Sequence, residues 1–116
     1  MKKILVAEDN DSNFILMTYI LKKFYQFERA KNGLEAVEMA KDGAFDLVLM
    51  DIKMPIMDGL QATRLIRAEM PDLPIIALTA NAFDNDRQQA LDAGCNDFIS
   101  KPVNAALCLE LIAKYI

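Results

Sequence analysis

Histidine is absent from this 116-residue sequence, and cysteine occurs only twice, at Cys95 and Cys108. Protein zinc sites are built largely from histidine and cysteine ligands, so this composition argues strongly against a zinc site. Because no histidine and no further cysteine accompanies them, Cys95 and Cys108 are instead predicted to be packing residues.

Long apolar runs are also absent. No stretch approaches the roughly 18 to 20 residues that a membrane-spanning helix needs. The first ten residues, MKKILVAEDN, turn acidic too early for a signal peptide. Neither the GxxxxGK[ST] nor the GxGxxG phosphate-binding pattern occurs, so nucleotide hydrolysis and dinucleotide binding have no support. We therefore expect a cytoplasmic domain that makes no membrane contact of its own. The cytoplasmic part of a membrane-bound kinase is one setting for such a domain.

Basic residues are outnumbered: 13 lysines and arginines face 17 aspartates and glutamates, which gives a formal charge of −4. This balance argues against direct binding of nucleic acid by the domain itself. With 53% apolar residues, the chain is large enough to bury a core. We expect a single domain that spans residues 1–116.

Five short apolar runs alternate with five helical patterns. The runs, predicted to be buried strands, are 3–9, 26–30, 46–51, 74–80 and 97–102. The helical patterns cover 11–24, 33–43, 59–70, 84–94 and 104–116. The first is predicted to begin with Asp11 or Ser12 as its cap. The apolar faces are predicted from spacing: Phe14, Met17, Leu21 and Phe24 in the first helix, and Leu34, Val37 and Ala40 in the second. This alternation predicts an α/β fold with a parallel sheet, in the flavodoxin-like (βα)5 arrangement with strand order 2-1-3-4-5. Ligands of such sheets bind beyond the carboxyl ends of the strands, between strands 1 and 3.

Residues whose side chains can bind a ligand or react stand at those carboxyl ends. Strand 1 leads to Glu8 and Asp9, strand 3 to Asp51, strand 4 to Thr79 and strand 5 to Lys101. Like charges at about 4 Å cost about 4 kcal/mol per pair at an effective dielectric near 20, so three converging carboxylates need a cation. An oxygen-rich acidic site favours Mg²⁺ and a phosphoryl ligand, with Asp51 as a carboxylate nucleophile.

The motifs VAEDN (6–10), LMDIKMPIMDG (49–59), ALTA (77–80) and FISKP (98–102) together resemble the receiver domain of two-component response regulators. The resemblance covers essentially the whole chain. EDN followed by Asn13, together with LTANAF (78–83), is most similar to the receivers of hybrid histidine kinases. A stand-alone regulator and a domain of a hybrid kinase both remain open.

The resemblance implies a role for each acid. Asp51 matches the phosphoacceptor, Asp9 the direct ligand of Mg²⁺, and Glu8 the acid that acts on the metal through water. The third protein ligand in the family is a backbone carbonyl, here that of Lys53. Because the chain has no histidine, the phosphohistidine donor is expected on a histidine kinase or a histidine phosphotransfer domain.

The remaining motif residues match the switching machinery. Thr79 corresponds to the hydroxyl that moves onto the phosphoryl group, and Lys101 to the cation that pairs with it. Ala80 leaves room for that group to enter. Phe98 occupies the place of the aromatic switch residue, and the bond from Lys101 to Pro102 is expected to be cis.

Two further positions tune the lifetime of the phosphorylated state in the family. They correspond to Lys53 and Asn81, neither of which is an acid that could position a hydrolytic water. We expect slow autodephosphorylation and no free-standing enzyme activity. The other interpretation makes Lys53 an ordinary solvated loop lysine.

The output surface implied by the resemblance is the face of helix 4, strand 5 and helix 5, which is also the candidate surface for a homodimer. Leu107 and Leu109 on helix 5 would belong to this surface, or would simply be ordinary exposed leucines. The loop 81–84 and Phe98 would move inward on phosphorylation.

Three other functions fit the residues less well. A flavodoxin-like cofactor binder needs a hydroxyl- and glycine-rich loop after strand 1, where this chain has the acidic EDNDSN. An aspartyl-phosphate phosphatase needs a second aspartate two residues after the nucleophile, where Lys53 stands. A pseudo-receiver would have lost a site residue, and all are present.

Overall fold

The computed structural model describes residues 1–80 and 84–116, with the Asp84 side chain left out, as five strands and five helices that alternate along the chain. The strands are β1 (Lys3–Ala7), β2 (Gln26–Ala30), β3 (Leu47–Asp51), β4 (Ile75–Thr79) and β5 (Asp97–Ser100). The helices are α1 (Asp11–Leu21), α2 (Gly33–Asp42), α3 (Gly59–Glu69), α4 (Asp84–Ala93) and α5 (Ala105–Tyr115). In these described ranges, no helix has both the length and the apolar character needed to cross a membrane.

The five strands form one parallel sheet in the order β2-β1-β3-β4-β5. This confirms the predicted flavodoxin-like arrangement and strand order. The register pairs Ala7 with Met50 and Asp51 with Leu78, so β1, β3 and β4 end at nearly the same level. The strand order changes direction between β1 and β3, which opens a crevice at their carboxyl ends.

The sheet separates two apolar layers because side chains alternate along each strand. Leu5, Val48 and Met50 face one layer, which α2, α3 and α4 cover. Ile4 and Leu49 face the other, which α1 and α5 cover. Cys95 lies buried in the first layer and Cys108 in the second, so the prediction that both are packing residues is confirmed.

The ends of α1 differ from the prediction. The cap is Asn10, not Asp11 or Ser12: its side-chain oxygen accepts from the Asn13 N–H at 2.9 Å. The helix ends at Leu21, three residues before the predicted end, because the N–H groups of Phe24 and Tyr25 both bond to the Leu21 carbonyl and turn the chain toward β2. Phe24, expected on the apolar face, is therefore 55% exposed.

Candidate functional site

Three carboxylates meet at the crevice between β1 and β3. Glu8 and Asp9 follow β1 directly, and Asp51 is the last residue of β3. One oxygen from each of the three lies within 4.8 Å of the others. Glu8 is 1% and Asp51 5% exposed, whereas Asp9 faces solvent. The strand order accounts for this meeting, because β1 and β3 are neighbours that run in the same direction.

Lys101 supplies the cation for the two buried acids. Its Nζ lies 3.1 Å from Oε1 of Glu8 and 3.2 Å from Oδ2 of Asp51. The lysine follows β5, and its backbone N–H donates to the Thr79 carbonyl at 2.8 Å, which ties it to the end of β4. The peptide bond between Lys101 and Pro102 is cis.

The two buried acids differ in proton affinity. Burial, followed by a hydrogen bond and repulsion from Glu8, raises the pKa of Asp51 to about 7, although Lys101 opposes the rise. Burial also acts to raise the pKa of Glu8, but the bonds to Asp51 and Lys101 outweigh it and lower that pKa. Burial acts to lower the pKa of Lys101, but attraction from Asp51 and the bond to Glu8 outweigh it and raise that pKa. Without a metal ion, Asp51 therefore takes up a proton more readily than Glu8 does.

This raised pKa predicts that the metal-free protein loses stability as pH rises through about 7. Above the unfolded pKa of about 4, the folded state holds a proton on Asp51 that the unfolded state has released. The free energy of unfolding therefore falls with rising pH until that proton has left the folded state. Between about pH 6 and pH 8 the expected loss is about 1 kcal/mol, measured by urea unfolding in a chelator. An Asp51→Asn variant should lack this loss, and an equal loss in that variant would assign it to another group.

The donor set suits a hard divalent cation. Carboxylate and carbonyl oxygens are the ligands that Mg²⁺ prefers, and an ion that retains several waters can use acids spread over 4.8 Å. The Lys53 N–H donates to Oδ1 of Asp51 at 3.3 Å, which brings the backbone of Lys53 to the site. Lys53 is exposed and is one of the residues that line the crevice.

A cleft of about 270 Å³ surrounds these groups, and its wall includes Thr79 and Ala80 at the end of β4. Thr79 is 6% exposed, whereas Ala80 is open to solvent. Phe98 on β5 is half-buried, and the Arg87 guanidinium lies 5.2 Å from the centre of its ring. Asn81, the second residue assigned to lifetime, lies outside the described residues.

Three polar residues of the cleft are not among the site residues predicted from the sequence. Asn10 and Asn13 enter the wall because the helix that begins after Asn10 starts at the cleft. Asp86 reaches it from the first turn of α4. Site residues were predicted from their position at strand ends, and this criterion does not detect residues at the starts of helices. A search for polar residues in the first turn after each strand-end motif would have included all three.

Residues 4–113 match the response regulator receiver domain family. The chain belongs to this family. Among relatives of this receiver domain, hybrid signal transduction histidine kinase B of Dictyostelium discoideum is 41% identical over 100% of the chain, which spans only 7% of that kinase. The polar-differentiation response regulator DivK of Brucella anthropi is 35% identical, over 99% of the chain and 96% of its own length.

Solved receiver domains share the fold. The receiver domain of a sensor histidine kinase of Pseudomonas aeruginosa, crystallised with a magnesium ion in its active-site cleft, is 38% identical with a TM-score of 0.92, over 98% of this chain and 96% of that one. A Saccharomyces cerevisiae receiver domain, crystallised with a histidine phosphotransfer protein, is 32% identical with a TM-score of 0.93, over 98% and 88% of the two chains. The chain is therefore a receiver domain of a two-component system.

Proposed function

We propose that Asp51 accepts a phosphoryl group from a phosphohistidine donor in an Mg²⁺-dependent transfer. The observation that carries this proposal is the arrangement around Asp51: Glu8 and Asp9 beside it, and Lys101 at 3.2 Å from its Oδ2. A carboxylate in that position can act as a nucleophile, while the cations around it offset the charge of the incoming group.

Four groups would hold the metal ion. These are the carboxylates of Glu8, Asp9 and Asp51 and the backbone carbonyl of Lys53, with Glu8 acting through water. When bound, Mg²⁺ supplies positive charge to the phosphoryl oxygens and to Asp51. The magnesium found in the Pseudomonas aeruginosa receiver supports this choice of ion.

The chain's own residues carry out the transfer. An oxygen of ionised Asp51 forms a bond to phosphorus while the bond from phosphorus to the donor's imidazole nitrogen breaks, and the nitrogen keeps that electron pair. Lys101 exchanges part of its contact with Asp51 for a phosphoryl oxygen. Thr79, at the end of β4, supplies a hydroxyl within the same cleft.

The switch would follow from these new partners. Movement of Thr79 toward the phosphoryl group would leave space for Phe98 to turn inward, as the family resemblance implies. The output surface would then be the face of α4, β5 and α5, where Leu107 is 63% exposed and a groove of about 860 Å³ runs along β5 and α5. The same face would serve a homodimer of the phosphorylated form.

The donor would be a histidine kinase or a histidine phosphotransfer domain in the cytoplasm. The yeast receiver crystallised with a phosphotransfer protein supports this partner, and so do the hybrid kinases among the relatives. A hybrid kinase and a stand-alone regulator both fit, because the kinases and DivK match the chain over nearly its whole length.

The test is incubation with a small acyl phosphate, with Mg²⁺ or with a chelator, followed by intact-mass measurement. One phosphoryl group per chain is expected with Mg²⁺, and almost none with the chelator. Equal labelling in both samples would contradict the metal-dependent mechanism. After donor removal the label should decay slowly, because Lys53 and Asn81 are not acids; a half-life of seconds would contradict that part.

A further inference from the structure

Arg29, the fourth residue of β2, contacts both sides of the acidic segment that follows β1. Its Nε donates to the Glu8 carbonyl at 3.0 Å, and its Nη1 lies 2.9 Å from Oδ1 of Asp11. The two contacts therefore bracket Asp9 and Asn10 between them. The side chain is 15% exposed, so the guanidinium is largely enclosed.

Contact with Phe14 also fixes the orientation of the guanidinium plane. Its central carbon lies 4.7 Å from the centre of the Phe14 ring, and Phe14 in turn meets Phe27 edge-on with ring centres 6.1 Å apart. Arginine suits such a place because its planar group can stack and donate from separate nitrogens at once. Lysine has one charged nitrogen and cannot reproduce this set of contacts.

These contacts determine the placement of Asp9 through the backbone. The Glu8 N–H donates to the Ala30 carbonyl at 3.0 Å, and the Glu8 carbonyl accepts from Arg29. That carbonyl belongs to the peptide plane that joins Glu8 to Asp9. Asp9 is exposed, so packing does not orient it, and its direction depends on how this plane is held.

A contribution to stability does not explain why residue 29 is an arginine. Nη2 of Arg29 is buried and has no hydrogen-bond partner among the described residues, an arrangement that costs free energy. The ion pair with Asp11 adds little, because the Asp11 side chain is 82% exposed. An apolar side chain of similar length would avoid the buried, unpaired nitrogen.

We propose that Arg29 is a positioning residue for the metal site: through its bond to the Glu8 carbonyl it holds the peptide that joins Glu8 to Asp9, so that Asp9 is oriented to bind the divalent ion. The proposal rests on the proposed function, because it takes Asp9 as a metal ligand. Outer groups that orient metal ligands typically change metal affinity by about tenfold or more when they are removed.

The test is a calorimetric titration of the whole chain with MgCl₂ alone, using wild type, Arg29→Met, Arg29→Lys and Asp11→Asn. Both Arg29 variants should bind Mg²⁺ about tenfold more weakly. Asp11→Asn keeps the bond from Arg29 to the Glu8 carbonyl and should remain within about threefold of wild type. Urea unfolding of each variant shows whether it is folded.

The direction of the change in Mg²⁺ affinity distinguishes a positioning role of Arg29 from an effect of its positive charge. Removing a cation near an acidic site should by electrostatics alone strengthen Mg²⁺ binding, so tighter binding by Arg29→Met would overturn the proposal. Unchanged binding by the folded Arg29 variants would overturn it too, while leaving the proposed function intact. Failure of the wild type to bind Mg²⁺ would instead overturn the metal site, and both proposals with it.

Discussion

An Asp51→Asn variant should take up no phosphoryl group from a small acyl phosphate in the presence of Mg²⁺, whereas the wild type takes up one. The amide has nearly the shape of the carboxylate but lacks its nucleophilic oxygen, so the bond to phosphorus cannot form. Intact-mass measurement of both proteins after the same incubation gives the result. Because the substitution also removes repulsion with Glu8, the variant should stay folded at neutral pH.

The matched control is Asp58→Asn. Asp58 lies seven positions further along the chain, where it caps α3 by accepting from the Gln61 N–H at 2.8 Å. Asparagine caps a helix about as well as aspartate, so this variant loses one negative charge near the site without losing structure. It should be labelled like the wild type. Labelling of Asp51→Asn at the wild-type level would remove Asp51 from the proposed chemistry.

Gly59→Ala should lower the free energy of unfolding by about 3 kcal/mol, near the upper end for an overpacked position. An ideal Cβ at Gly59 would overlap the Asp51 carbonyl oxygen and would lie 2.9 Å from the Asp51 carbonyl carbon and from the Ile52 Cα. All three atoms belong to the backbone, which cannot rotate away as a side chain can. The start of α3 would have to move off the end of β3, which can be measured by urea unfolding.

Gly43→Ala is the control for this second prediction. A Cβ there would overlap the edge of the Phe45 ring and would lie 3.0 Å from the Met39 carbonyl oxygen. The Phe45 ring is buried, but as a side chain it can turn, whereas the backbone atoms at Gly59 cannot. The loss of stability should therefore be clearly smaller than for Gly59→Ala. An equal loss in the two variants would mean that backbone contact with Asp51 is not the cause.

The sheet could be predicted from sequence because each strand carries its own signal. Leu47, Val48 and Leu49 form a continuous apolar run, which is typical of a strand covered on both faces, and all are buried in the structure. The acids at the strand ends were found in the same way. Their meeting followed from one further rule, that parallel strands end at the same edge.

Helix ends were harder to predict, because several polar residues in a row can each cap a helix. Asn10, Asp11 and Ser12 are all good caps by residue type, and only the bond from the Asn13 N–H shows that Asn10 is used. The predicted apolar face of α2 was also partly wrong. Leu34 fitted the apolar spacing but is 43% exposed, while Ala36 is buried instead. Spacing identifies an apolar stripe, but neighbouring elements decide which edge of the stripe is covered.

Side-chain contacts away from the strand ends could not be predicted. Arg29 stands in the weakest of the five strand patterns, and nothing near it in sequence indicates that it contacts Glu8 and Asp11. The backbone conformation of Ile56 could not be predicted either. It adopts a φ of 71° in the loop after β3, a conformation that is unfavourable for a β-branched residue and that residue type would not have suggested.

The balance of charge between the buried acids and Lys101 limits how the phosphorylated site can signal. Three carboxylates and one ammonium sum to −2, and a magnesium ion brings the total to zero in the proposed function. Replacing one carboxylate charge with a phosphoryl group of about −2 then changes the total by only about one unit. Such a change is screened within about 8 Å at physiological ionic strength, whereas the molecule measures 33 × 31 × 26 Å. A partner on a distant face would respond to altered shape, and its discrimination between the two states should therefore depend little on added salt.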